Sequence, residues 1–219
     1  MKRRSLVTGA VALTAAPAFA QFGGLLGGAR GGSGGGNVDA DVAAFLTKSF
    51  NIEKTLSKAY LAIAAAYLKE GELAKTRTLF EEVGKLTEPK EAGAKFQEVQ
   101  QSALAELKRL GESKDLEAQT KALSAEKQQQ VAKGVGNFLL GVFQSKDLVS
   151  TGQSLVSSVA SNPMSVGKVL PVKDSLTRLG RAAELAGATL PAFVNVLKGV
   201  NVSVAPASTS STEEKVDSI

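Results

Sequence analysis

Two short patterns in this chain place a serine in the company that nucleophilic chemistry asks for. Gly31-Gly32-Ser33-Gly34-Gly35 has the G-x-S-x-G spacing that, on a sharp strand-to-helix turn, presents a serine hydroxyl to a histidine base. Ser165-Val166-Gly167-Lys168 has S-x-x-K spacing, which sets a lysine amine one helical turn from a serine that it could activate. Tyr60 and Tyr67 stand seven residues apart, on one helical face, beside Glu53, Lys54 and Glu70. That set could pass protons. Their surroundings support none of the three. The chain has no histidine, and Ser33 lies in a glycine-rich stretch with no strand before it. No K-T-G follows Ser165, and no sheet is foreseen to carry it. The tyrosines read as residues at the edge of a core.

Composition narrows the chemistry further. Cysteine is absent, which excludes disulfides, thiol catalysis and thiolate metal sites. The missing histidine removes the commonest neutral-pH base and the commonest nitrogen ligand for metals. No D-x-D-x-D-G run gathers carboxylates, and Gly134, Gly136 and Gly141 lack a nucleotide-binding spacing. Small residues at those positions suit close helix crossings instead. No catalytic residue, metal or cofactor is therefore assigned. An enzyme here would have to work with Lys, Tyr, Ser or carboxylates alone, in a cleft of convergent buried charges. Lys168, Lys173, Arg178 and Arg181 are the densest basic group, but Asp174 and Glu184 dilute them and no aromatic residue interleaves. They read as a solvated helix face, without a nucleic-acid partner.

The formal charge is +5, but Lys2, Arg3 and Arg4 belong to a segment expected to be removed, which leaves about +2. Residues 1–20 run from these basic residues through an Ala-rich apolar stretch to Ala18-Phe19-Ala20. The order is that of a signal peptide, with cleavage expected after Ala20. Arg3-Arg4 is the pair a twin-arginine route would read, while the very short basic segment fits the general secretory route better. A periplasmic or secreted product is expected. Residues 21–37 form a glycine-rich linker in which Phe22, Leu25 and Leu26 are the only large apolar residues.

The elements that must position any site are helices. Val42, Phe45, Leu46, Leu56, Tyr60, Ile63 and Tyr67 recur at helical spacing, after capping acids at Asp39 and Asp41. Gly71 is the expected stop. Further stripes run through Leu73, Leu79, Phe80 and Val83, and through Phe96, Val99, Ala103, Leu107 and Leu110. Pro89 suits a first helical turn, and Gly111 an end. A fourth helix is expected from about 115 to 144, polar on all sides at 126–130, and a fifth through Leu148 and Val159. Pro171 and Pro191 each suit a first turn after a break. Residues 200–204 are a short strand candidate, and 205–219 a disordered tail. The fold class is all-α: an irregular bundle of about five to seven helices spanning 38–204. The charge-poor later helices are expected at its centre.

Residues 66–89 resemble one tetratricopeptide helical hairpin, with Tyr67, Gly71, Leu79, Phe80 and Pro89 at or near that family's consensus places. Thr76 stands where the family packs a small alanine, and Pro89 falls one residue late. No second copy follows at a period of roughly 34 residues, and such repeats bury their faces only in series. The segment is read as a plain helical hairpin.

Two functional expectations follow. The first is a non-enzymatic binding, structural or protein-interaction module of the cell envelope, with a protein partner or self-association. The second is a carrier of an apolar or amphiphilic molecule, such as a lipid, or a membrane-surface binder. Its motive is the charge-poor stretch 131–170, in which Phe138, Leu139, Val142, Phe143, Leu155, Val156 and Val159 are the candidate surface.

Overall fold

The computed structural model describes residues 38–161, 166–208 and 211–216. In order, its helices are α1 (Val38–Tyr67), α2 (Glu70–Lys85), α3 (Pro89–Gly111), α4 (Leu116–Ala122), α5 (Ala125–Ala160) and α6 (Val169–Gly199), with a 3-10 turn at Val166–Lys168 leading into α6. The described residues are thus all-α, with six helices and no strand. The expected signal peptide, the expected linker with its G-x-S-x-G pattern, and Ser165 lie outside them.

The middle of the bundle belongs to α1. Residues 59–66, Ala-Tyr-Leu-Ala-Ile-Ala-Ala-Ala, are each 3% exposed or less. A helix apolar on every face must be covered on every face, and alanine lets neighbours come close. α2, α3, α5 and α6 all pack on it. This reverses the expectation that the later helices fill the centre. The charges of α1 end at Lys58, and it carries none between Ala59 and Tyr67.

Contacts fix the helix directions. Along α5, Gly134 faces Ile63 and Ala59, Gly141 faces Leu56, and Gly152 faces Phe45, so α5 runs antiparallel to α1. A Cβ at Gly141 would stand 2.6 Å from Leu56 Cδ2, and one at Gly152 would stand 2.5 Å from the Phe45 ring. Glycine is what permits these crossings. α6 runs parallel to α1, with Arg178 beside Glu53 and the Phe193 ring 6.2 Å from that of Tyr67. α3 lies along α6, its Gly93 beside Arg178 and its Gly111 against Thr189. α2 returns along α1, and Lys54 Nζ donates to the carbonyls of Gly84 (2.9 Å) and Leu86 (2.6 Å) at its end. A cation suits that end of a helix.

Several boundaries differ from the sequence expectation. The chain breaks at Leu68 and Lys69, and Gly71 lies in the first turn of α2, among Glu70 and Glu72, where acids favour a helix start. α5 runs unbroken for 36 residues, because nothing between Gln144 and Leu148 stops a helix. The break comes earlier, at Ser124, whose hydroxyl accepts from the Lys127 amide at 3.3 Å. Gln128 Nε2 then donates to the carbonyls of Thr120 (3.0 Å) and Leu123 (3.2 Å), using the polar start of α5 to close α4. Pro191 lies inside α6 rather than after a break. Its ring disturbs the carbonyl of Gly187, and both residues are exposed, so water can satisfy that group.

The strand candidate at 200–204 is a helix stop. Asn201 adopts φ 60°, its amide bonds the Lys198 carbonyl at 3.0 Å, and the Val202 amide bonds the Leu197 carbonyl at 2.9 Å. This is the paired-bond Schellman ending with asparagine in the left-handed position. Beyond it, residues 205–208 and 211–216 have no regular structure, as expected of a tail, but they are docked rather than disordered. The Asn137 side chain bonds both main-chain groups of Glu214 at 2.8 Å. A polar residue buried in the apolar half of α5 thus finds its partners in the tail.

Candidate functional site

Three helix stripes face one another across a cleft of about 500 Å³. α1 contributes Asp39, Val42, Ala43, Leu46, Phe50 and Glu53, spaced three, four and seven apart on one face. The start of α3 brings Pro89, Lys90, Gly93 and Phe96, again one helical face. Gly167, Lys168, Pro171, Asp174, Ser175 and Arg178 come from the turn before α6 and its first turns. Phe50 and Phe96 meet at 5.9 Å between ring centroids and close one wall.

A buried ion pair forms the floor. Glu53 is 3% exposed and Arg178 15%. Arg178 Nε donates to Glu53 Oε2, and its Nη2 donates to Oε1 at 3.3 Å and to Ser175 Oγ at 3.1 Å. Gln100 Nε2 donates to the Arg178 carbonyl at 3.1 Å, which holds this part of α6 to α3. Burial pushes the Glu53 carboxyl above its usual range, and the Arg178 guanidinium and Ser175 hydroxyl draw it part of the way back. At the rim Lys168 Nζ lies 2.6 Å from Asp39 Oδ1. The lining therefore combines apolar side chains with two matched pairs of opposite charges, and with Lys90 and Asp174.

This is the convergence of charges that an enzyme lacking histidine would require, but both Glu53 oxygens are engaged by one guanidinium. The arrangement is suited to shaping a space and orienting a guest. Lys168 of the S-x-x-K pattern is the rim cation. Among the described residues, no three His, Cys, Asp or Glu side chains gather as a metal site, and no helix is long and apolar enough to cross a membrane.

The seven residues singled out from the sequence lie elsewhere, and none lines the cleft. Phe138, Leu155 and Val159 are core residues, at 1%, 8% and 0% exposure. Phe138 packs edge-on against Tyr60, with ring centroids 4.9 Å apart. Leu139, Val142 and Val156 are half-buried against the same core, and Phe143 is half-buried. Tyr60 is fully buried without a hydrogen-bond partner for its hydroxyl. Tyr67 lies 2.9 Å from Thr120 Oγ1, and since the Thr120 hydroxyl proton goes to the Leu116 carbonyl at 2.7 Å, Tyr67 is the donor. Both tyrosines are structural. Sequence reasoning missed the Glu53–Arg178 pair. Glu53 interrupts the apolar stripe of α1 between Phe45 and Tyr60, and that interruption was the available signal.

No known family model matches the chain, and neither a curated protein nor a solved structure is similar to it.

Proposed function

We propose that this chain is an exported, non-enzymatic helical binding protein of the cell envelope that holds a small amphiphilic molecule in the cleft between α1, α3 and α6. In this reading residues 1–20 direct export, cleavage follows Ala20, and the mature chain works in the periplasm or outside the cell. The observation that carries the reading is the cleft itself: about 500 Å³ of space between partly apolar walls over the largely buried Glu53–Arg178 pair. Small-molecule sites are commonly concave, largely apolar and fitted with a few fixed polar groups. The guest's apolar part would lie against Val42, Leu46, Phe50 and Phe96, and its polar part near Lys168, Asp39 and Ser175. The carrier function thus moves from residues 131–170 to this cleft. Titration with the fluorescent apolar probe N-phenyl-1-naphthylamine tests the reading. Saturable enhancement that Ala43→Trp abolishes supports it, because Ala43 is an exposed cleft residue whose enlargement fills the space. Equal enhancement in both proteins contradicts it.

A further inference from the structure

The docked tail has an anchoring that its apolar content does not account for. From Ser203 onward none of its described residues is buried. Val204 packs against the core, and residues 213–215 are anchored by polar bonds. Asn137, 1% exposed, donates from Nδ2 to the Glu214 carbonyl and accepts at Oδ1 from the Glu214 amide, each at 2.8 Å. Both partners are main chain, so the fork reads an extended backbone and not a side chain, as a neighbouring strand would. One residue earlier, the Glu213 carboxylate accepts from Thr55 Oγ1 at 3.1 Å and lies 3.8 Å from Lys58 Nζ. One residue later, Lys133 Nζ donates to the Lys215 carbonyl at 3.4 Å.

We propose that the groove between α1 and α5 is a recognition site for an extended acidic peptide segment of a partner protein, and that the chain's own residues 211–216 occupy it in cis. The groove chemistry states the partner. Asn137 demands an extended main chain with a free N–H, and Thr55 and Lys58 select a carboxylate one residue before it. An asparagine fork at the apolar face of α5 is costly unless something meets it, and a segment with no buried side chain opens readily. An exchangeable plug accounts for both features. This inference is independent of the cleft.

The test uses the full chain and a labelled peptide of sequence STEEKVDSI, identical to residues 211–219. Glu214→Pro removes the N–H that Asn137 reads and frees the cis tail without altering the groove. A tethered competitor acts at an effective concentration in the millimolar range, so Glu214→Pro should bind the peptide about tenfold tighter than the unaltered chain. Adding Asn137→Ala on that background should abolish binding, and replacing the peptide's first glutamate by glutamine should weaken it. A folded Glu214→Pro chain that binds no peptide at about 1 mM overturns the proposal. So does an unaltered chain that is a dimer by mass and becomes a monomer on Glu214→Pro, since the groove then serves a second copy. Should Glu214→Pro fail to fold, excess peptide on the unaltered chain decides the matter. Faster hydrogen exchange at the Glu214 amide supports displacement, and no change overturns it.

Discussion

Replacing Glu53 by leucine leaves Arg178 charged, 15% exposed, and with Ser175 as its remaining side-chain partner. A guanidinium cannot shed its proton to escape burial. Removing one partner of a buried pair costs about 3–5 kcal/mol. In a domain of this size that corresponds to a fall in melting temperature of roughly 6–20 °C. The low exposure of both groups leaves little solvent screening to soften the effect. Arg178→Met behaves differently, because the orphaned Glu53 can take up a proton. Burial already raises the Glu53 carboxyl above the usual carboxylate range, and loss of the guanidinium raises it further. A raised folded-state value gives stability that is full below the unfolded value and lost as pH rises through the folded one. Arg178→Met should therefore come closest to the unaltered protein in mild acid and fall behind it towards neutrality, while Glu53→Leu stays destabilised throughout. The double variant, apolar on both sides, should recover most of the loss. Urea unfolding of the four proteins from pH 4.5 to 8 measures all of this. Single substitutions that each cost under about 1 kcal/mol and simply add in the double variant would refute the reasoning.

Three further outcomes follow from the packing. Gly152→Ala should destabilise by about 1–3 kcal/mol, since its Cβ would meet the stiff Phe45 ring and Leu176, whereas Gly187→Ala, which meets nothing, should be neutral or stabilise by up to about 1 kcal/mol in thermal unfolding. Asn201→Val should cost about 1–2 kcal/mol by denaturant titration, because a branched residue is forced to φ 60°, while Asn201→Gly should be tolerated. Tyr67→Phe should lose about 1 kcal/mol with its bond to Thr120, measured the same way.

Much of the fold was legible because burial follows the apolar stripes. Val42, Phe45, Leu56 and Ile63, and Phe96, Val99, Leu107 and Leu110, are core residues in the structure as their spacing implies. Pro89 and Gly111 bound α3 where their chemistry places them. What could not be read was which stripe lies at the centre. Ala59 to Ala66 looks weakly amphipathic beside the stronger pattern of α3, yet small size on all faces is what a central helix needs. The apolar half of α5 reads as a possible surface for the same reason: from Val131 to Gly141 it packs against α1, and sequence cannot tell a covered apolar face from an open one. The cleft draws on three helices distant in sequence, and Glu53 and Arg178 are 125 residues apart. The tail's low-complexity composition hid its anchor, since one asparagine in α5 supplies most of it.

The central claim is that the cleft between α1, α3 and α6 holds a small amphiphile, and native mass spectrometry of the mature chain exported by a bacterial host tests it most directly. A reproducible added mass in the lipid range is expected on the unaltered protein and absent from Ala43→Trp. A bare chain under gentle ionisation, or an added mass that persists in Ala43→Trp, would contradict it.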